Sequence, residues 1–290
     1  MTDLPVDQVR TLLAVVDEGT FDAAAAALHV TPSAVSQRVK ALEHRVGRVL
    51  VLRTKPARLT ESGEVVVRFA RQLSHLEGDA RAELGLSDAG ATLPIAVNAD
   101  SLATWFLPAL ARVPDVYFEL HREDEDYTTR LLREGMVMAA VTSSADAVQG
   151  CTVRRLGQMR YLSMATPAFA ERWLTGASLA SLAAAPVVVF DRRDVLQDRF
   201  ARRLTRRQGA SPRRHYVPAS EAFVEAIIAG LGWGMVPSSQ AEPLLRAGTL
   251  VDLAPGRWAN VPLYWQQWKL DSPALTAVAD AVAAAAKEHL

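Results

Sequence analysis

Two groups of side chains in this sequence have the types and spacing that could do chemistry. The first is Thr31, Pro32, Ser33, Ser36, Gln37 and Lys40, followed by Arg53, Lys55 and Arg58. Ser33, Ser36, Gln37 and Lys40 stand at i, i+3, i+4 and i+7, so a helix presents them on one face. Serine and glutamine can donate to and accept from base edges, and lysine and arginine can pair with phosphates. That is the chemistry of reading a duplex. The second group is Asp100, Ser101, Glu123, Asp124, Thr128, Thr142, Asp191 and Glu221, which follow short apolar runs or open helical stretches. Ser101 is placed to cap a helix whose free N–H groups suit a carboxylate, and the acids suit an ammonium group. Hydroxyls and acids together describe an amino-acid pocket, and the surplus of acids describes a basic amino acid.

The first group needs a particular frame. Phe21, Ala24, Ala25 and Leu28 line one face of a short helix that Thr20 can cap, and His29-Val30-Thr31 break it. Pro32 then opens a second helix with Thr31 as its N-cap. Val35, Val39, Leu42 and Val46 point inward from that helix, which leaves the polar face outward. With Val9, Leu12, Leu13 and Val16 of a preceding helix these make a three-helix core, the geometry of a helix-turn-helix with its recognition helix at 32–46. After Gly47, Val49-Leu50-Val51-Leu52 reads as a strand, 53–58 as a turn and Leu59-Thr60 as a return. Arg53, Lys55 and Arg58 lie on this small wing, where cations grip phosphates and set register without specifying sequence. An ordinary helical hairpin is the bland alternative; its outer face would mix glutamate with lysine.

The distribution of charge agrees. The chain balances 32 basic against 32 acidic residues over 290 positions. Yet residues 31–60 hold seven cations (Arg38, Lys40, Arg45, Arg48, Arg53, Lys55, Arg58) against Glu43 alone, while residues 1–30 hold Arg10 and five acids. Cys151 is the single cysteine, so no internal disulfide forms, and the six histidines have no zinc-ligand spacing. No segment has the apolar length of a membrane span and the N-terminus lacks a basic or apolar leader, so a cytosolic chain is expected.

A further helix starts at Thr60, with Glu61 and Glu64 in its first turn. Val66, Phe69, Leu73, Leu76, Ala80 and Glu83 repeat at 3-4-3-4-3, a short coiled-coil seam on which two copies would pair. Pairing would place two recognition helices on successive major grooves. Gly85–Gly90 reads as a linker. From Thr92 on, LPIAV, VYFEL, MVMAAV, YLSMA, PVVVF and WGMVP alternate with helical stretches, which predicts a parallel-rich α/β sheet in two lobes with ligands at strand carboxyl ends. The expected division is 1–60 for DNA, 61–90 for the linker and 91–290 for the effector, with one lobe at 91–164 and 269–290 and the other at 165–268. GLGWG at 230–234 reads as a turn, and Trp258, Tyr264, Trp265 and Trp268 as core and strand residues. The arginines between Arg199 and Arg214 read as a solvated helix face or a subunit contact. No nucleophile elbow, phosphate loop or metal motif is present, so neither enzymatic activity nor a cofactor is expected.

GTFDAAAAALHVTPSAVSQRVKALEHRVG, then VLVLR, then RLTESG and a long helix resembles the LysR-type transcriptional regulators over the whole chain. That resemblance implies a winged helix-turn-helix joined through a linker helix to a two-lobed domain like that of periplasmic binding proteins. VNADSLATWFLPAL and LVLRTKPARLTESG are similar to the subgroup that controls export of basic amino acids. It implies lysine or arginine as effector, an exporter gene as target, a DNA operator and RNA polymerase as partners, and a homodimer or homotetramer. On these positions the resemblance assigns Ser33, Ser36, Gln37 and Lys40 to the base- and phosphate-reading face and Arg53 and Arg58 to the wing. It assigns Ser101, the acidic loop and Thr142 to the effector cleft. Val51 departs from the phenylalanine many members carry after the wing leucine. An architectural or replication-inhibiting DNA binder without effector control is the other reading.

Overall fold

The computed structural model describes residues 4–86, 91–123, 125–174, 179–205 and 209–290. Three helices come first: α1 (Val6–Asp17), α2 (Phe21–Ala27) and α3 (Pro32–Val46). Thr20 and Thr31 cap the second and third, accepting from Ala23 N at 3.1 Å and Ala34 N at 3.2 Å. Gly47 ends α3 in the left-handed conformation, φ 73°. Val9, Leu12, Val15, Val35, Val39 and Leu42 are fully buried between them, each side chain contributing about 1.5–3 kcal/mol.

The wing is shorter than expected. Strands β1 (Val51–Leu52) and β2 (Arg58–Leu59) pair antiparallel, but Val49 and Leu50 do not extend β1. The Leu50 N–H donates instead to the Glu43 carboxylate at 2.8 Å, and the Val49 carbonyl accepts from the Thr60 hydroxyl at 2.7 Å. Helix α4 (Glu61–Glu83) then leaves the domain, with Thr60 capping its first turn through Gly63 N at 3.1 Å. The first residue of the expected seam, Val66, is buried in the winged-helix core together with Val67 and Ala70. Beyond it Phe69 and Leu76 are each 40% exposed within a single chain. Glu83 is on α4, but its side chain lies outside the described residues.

The remaining chain is α/β. In order it comprises β3 (Ala91–Val97), α5 (Ala99–Ser101) running through a π turn at Leu102–Phe106 into α6 (Leu107–Leu110), β4 (Val116–Arg122), α7 (Glu125–Glu134) and β5 (Ala139–Thr142). There follow β6 (Cys151–Ala165), α8 (Pro167–Trp173), a 3-10 turn at Leu179–Ala183, β7 (Val187–Val189), α9 (Leu196–Thr205), β8 (Arg214–Tyr216) and α10 (Ser220–Ile228). Last come β9 (Gly234–Pro237), α11 (Ser238–Arg246), β10 (Val251–Asp252), β11 (Ala259–Trp268) and α12 (Pro273–His289).

The main sheet has the order β10-β6-β11-β5-β3-β4, with β9 also on β6. β3 pairs parallel with β4 and with β5, and β7 pairs parallel with β8 in a separate sheet; among the described residues the strand pairings of β6 and β11 are antiparallel. The sheet is therefore mixed rather than parallel-rich, because two long strands run through both lobes and join them. β11 pairs with β5 from Tyr264 to Gln267 and with β6 along its length, with a register break at Leu263/Tyr264. From Tyr264 on, β11 therefore has β5 as its second neighbour while it keeps β6 on the other side. Trp265 and Trp268 are 2% exposed and belong to the core, whereas Trp258 lies outside β11 at 39% exposure, with the Arg160 guanidinium 4.6 Å over its ring. Gly230 turns with φ 79° as expected of GLGWG.

Candidate functional site

On α3 the side chains of Ser33, Gln37 and Lys40 are exposed and Ser36 is half-buried, on the face opposite Val35, Val39 and Leu42. Thr31 and Pro32 are exposed at its N-terminus, with the Thr31 hydroxyl 2.9 Å from that of Ser33. Arg53, Lys55 and Arg58 are exposed on the wing. The wing is fastened to the helices at three points. Glu43 holds Leu50 N, the Arg53 guanidinium sits 4.9 Å over the Phe21 ring of α2, and Ala57 N donates to the Gly19 carbonyl at 2.7 Å. Val51, at the position where the resemblance departs, is 4% exposed and fills the core. Recognition helix and wing thus present one cationic, hydrogen-bonding surface on a rigid base. The acid among the cations, Glu43, is a fastening for the wing.

The second site is a cleft of about 690 Å³ between the lobes, within the roughly 300–1,000 Å³ of ligand pockets. Asp100, from the end of β3, and Asp191, from the end of β7, line it as expected. Ser101 does not cap a helix: Asn98 is the N-cap and Ser101 lies one turn inside, fully buried behind the wall. Thr142 is buried beside the lining Ser143, and its hydroxyl accepts from Ser144 N at 3.2 Å. Glu221 is exposed next to the lining Ser220. Glu123 follows β4, with its N–H on the Val97 carbonyl at 3.2 Å, and Thr128 is buried on α7; neither is on the cleft wall among the described residues. Asp124 lies outside the described residues.

Asp100 holds the two lobes and their connecting strand at one point. Its carboxylate accepts from the Tyr161 hydroxyl of β6 at 2.7 Å and from the Ser220 hydroxyl of α10 at 2.7 Å. Burial pushes the Asp100 carboxyl above the ordinary carboxylate range, and these two hydrogen bonds offset part of that. Asp194, also on the wall, is likewise pushed up by burial, against hydrogen bonds from Phe190 N and Leu196 N. The buried amide oxygens of Asn98 and Gln197 face this region without a hydrogen-bond partner among the described residues. Arg193, Arg199 and Arg203 complete the opposite charge at the wall. Of the arginine series, Arg199 and Arg203 therefore belong to the cleft, Arg214 pairs with Asp198 at 2.8 Å, and Arg206 and Arg207 lie outside the described residues.

Sequence reasoning passed over Tyr161 and Asp194. Tyr161 is one residue of an apolar run whose partner is 61 residues away. Asp194 has a local signal, an acid two residues before a helix start, where Leu196 N donates to it at 2.9 Å.

A winged helix-turn-helix carried on a long helix to a two-lobed cleft defines a DNA-binding regulator with a ligand-receiving domain. Residues 6–64 match the bacterial regulatory helix-turn-helix proteins of the lysR family, and residues 87–287 match the LysR substrate binding domain. The chain belongs to the LysR family of transcriptional regulators. It is similar to the lysine export transcriptional regulatory protein LysG of Corynebacterium glutamicum, 48% identical over 290 residues, covering 98% of each. Among solved structures it resembles ArgP from Mycobacterium tuberculosis, with TM-score 0.90, 48% identity and 96% of each chain covered. It also resembles full-length LysG from Corynebacterium glutamicum with bound effector Arg, with TM-score 0.81, 44% identity and 99% of each chain covered. Among the described residues no helix is long and apolar enough to cross a membrane.

Proposed function

We propose that this regulator activates the gene of a basic amino acid exporter when lysine or arginine fills the interlobe cleft. The observation that carries the reading is the cleft wall. Two buried carboxylates, Asp100 and Asp194, are held above their ordinary range, beside Asp191 and two unpartnered amide oxygens. These acceptors lie together on the wall, and a cationic side chain supplies donors and charge to match them. The arginines of the same lining, Arg193, Arg199 and Arg203, suit a carboxylate. The arginine-bound relative supports the same ligand class.

In this reading residues 1–60 bind the operator, with Ser33, Ser36 and Gln37 on base edges and Lys40, Arg53, Lys55 and Arg58 on phosphates. Residues 61–90 pair two chains along α4, whose Phe69 and Leu76 are left uncovered in one chain. Residues 91–290 take the effector. The dimer, or a tetramer of two, acts in the cytoplasm on RNA polymerase at the promoter. Ligand shifts the DNA-bound arrangement only by the difference of its affinity for the two arrangements.

Calorimetric titration with lysine, arginine and leucine tests this. Saturable heat with lysine or arginine and none with leucine is expected. No heat with either basic amino acid refutes the effector, and binding of random duplexes as tightly as a selected one refutes the operator.

A further inference from the structure

Helix α4 is buried on one face in the winged-helix core and, over the same turns, touches the effector domain. Val66, Val67 and Ala70 pack inside that core. Arg71 lies next to them, its side chain 15% exposed, and its guanidinium is shared. Nη1 donates to the carbonyl of Glu134 at 2.7 Å and Nη2 donates to the carboxylate of Asp17 at 2.7 Å. Glu134 is the last residue of α7 and Asp17 the last of α1. Arg68, one turn earlier on α4, reaches the carbonyl of Arg133 at 3.5 Å.

These are the orphan carbonyls of a helix end, which carry partial negative charge and take cations well. The approach is close enough to constrain the neighbour. Gly135 follows α7 with φ 72°, and a Cβ there would meet Arg68 Cα at 3.0 Å and Cβ at 3.3 Å. Glycine therefore serves both the turn and the contact.

The far end of α7 lies at the ligand side of the sheet. Strands β3 and β4 are parallel, with Val97 beside Arg122. Asp100 follows the end of β3, and α7 follows the end of β4. The 10 residues of α7 then span about 15 Å back to the opposite edge, where α4 waits. A helix that starts at the edge of the sheet from which Asp100 enters the cleft, and whose other end is pinned by arginine, moves as a unit, which is how packed elements carry displacement.

We propose that Arg71 is a positioning residue that locks α7, and with it the lobe that contains β3, β4 and β5, to α1 of the DNA-binding domain, so that closure of the cleft turns the recognition helix. The proposal rests on the effector reading above and adds the route from cleft to DNA.

The test compares wild type, Arg71→Met, Arg71→Lys and Asp17→Asn. Each is titrated with arginine by calorimetry, then footprinted with and without arginine on a duplex selected from a random library by the wild type. Arg71→Met is expected to bind arginine and the duplex within about threefold of wild type while its footprint no longer changes with arginine. Asp17→Asn, an exposed change that leaves the core intact, is expected to reduce that change. Arg71→Lys, which keeps the charge but not the fork, is expected to restore part of it. A full wild-type footprint change in Arg71→Met, or in Asp17→Asn should Arg71→Met not fold, overturns the proposal.

If the wild type binds no arginine, the effector reading alone falls, and the lock is judged by distance. Spin labels at Ala27→Cys and Tyr117→Cys, in a Cys151→Ala background diluted with unlabelled chain, are expected to give a narrow distribution that broadens with Arg71→Met. Equal widths overturn the lock.

Discussion

Replacing Gly63 with alanine is the sharpest stability test of the DNA-binding half. Gly63 is the third residue of α4, and its N–H is the one that Thr60 caps. A Cβ built there would lie 1.9 Å from the Leu50 carbonyl oxygen and 2.9 Å from its carbon. The neighbour is backbone, and that carbonyl is already engaged by the Thr60 N–H at 3.0 Å and the Thr60 hydroxyl at 3.3 Å. Relief needs a movement on the order of 1 Å, which breaks these hydrogen bonds and lifts the wing away from α4. Overpacking costs about 1–3 kcal/mol and the loss of a hydrogen bond about 0.5–1.5 kcal/mol. Alanine recovers up to about 1 kcal/mol of helix propensity, so the clash wins by about 2–3 kcal/mol. In a domain of this size that lowers the melting temperature by roughly 10 °C or more. Calorimetric melting and duplex binding read the result: a lower first transition and weaker DNA binding, with arginine binding unchanged. A Gly63→Ala protein that melts and binds DNA like wild type would refute the reasoning about this close approach.

The other predictions concern charge. Asp100→Asn keeps the shape, and Ser220, whose hydroxyl is 3.3 Å from Gln240 Oε1, can turn to accept; calorimetry should show arginine binding weakened by about 1.5–3 kcal/mol with no loss of melting temperature. Because Asp100 and Asp194 have raised values in the fold, acidification through those values protonates them: arginine affinity should fall on going from neutral pH to just above the ordinary carboxylate range, while the folding cost of the two buried charges is relieved. Removing Lys40 or Arg53 should lower the slope of log affinity against log salt by about 0.9 for each phosphate no longer neutralised, whereas Gln37→Ala should relax sequence preference by about 1–3 kcal/mol at one base pair in a competition assay. Burial pushes the Cys151 thiol up to about 11, so alkylation at pH 8 should be slow in the folded protein and fast after unfolding.

Local pattern carried the N-terminal half. Thr20 and Thr31 punctuate helices through their hydroxyls and Pro32 and Gly47 through their backbone conformations, and the valines and leucine of α3 reveal the inward face by spacing alone. Ser33, Gln37 and Lys40 then have to point outward, since the other side is full. The α/β character of the rest was legible for the same reason, apolar runs alternating with amphipathic ones, and so were Asp100 and Asp191 at strand ends.

What tertiary structure decided is everything that depends on a partner far along the chain. The directions of β6 and β11 follow from pairings that no short window contains, and they turn the expected parallel sheet into a mixed one. Ser101 was displaced from its capping role because the chain turns into helix three residues earlier, at Asn98. The meeting of Asp100 with Tyr161 and Ser220 joins residues 61 and 120 positions apart, and burial there, invisible in the residue type, changes the chemistry of the carboxylate. Glu43, an odd acid among cations in the sequence, is explained once the Leu50 N–H is seen to lack a strand partner. Side-chain type and period fix what an element can offer; which offers are met depends on which distant element arrives, and that is settled by packing.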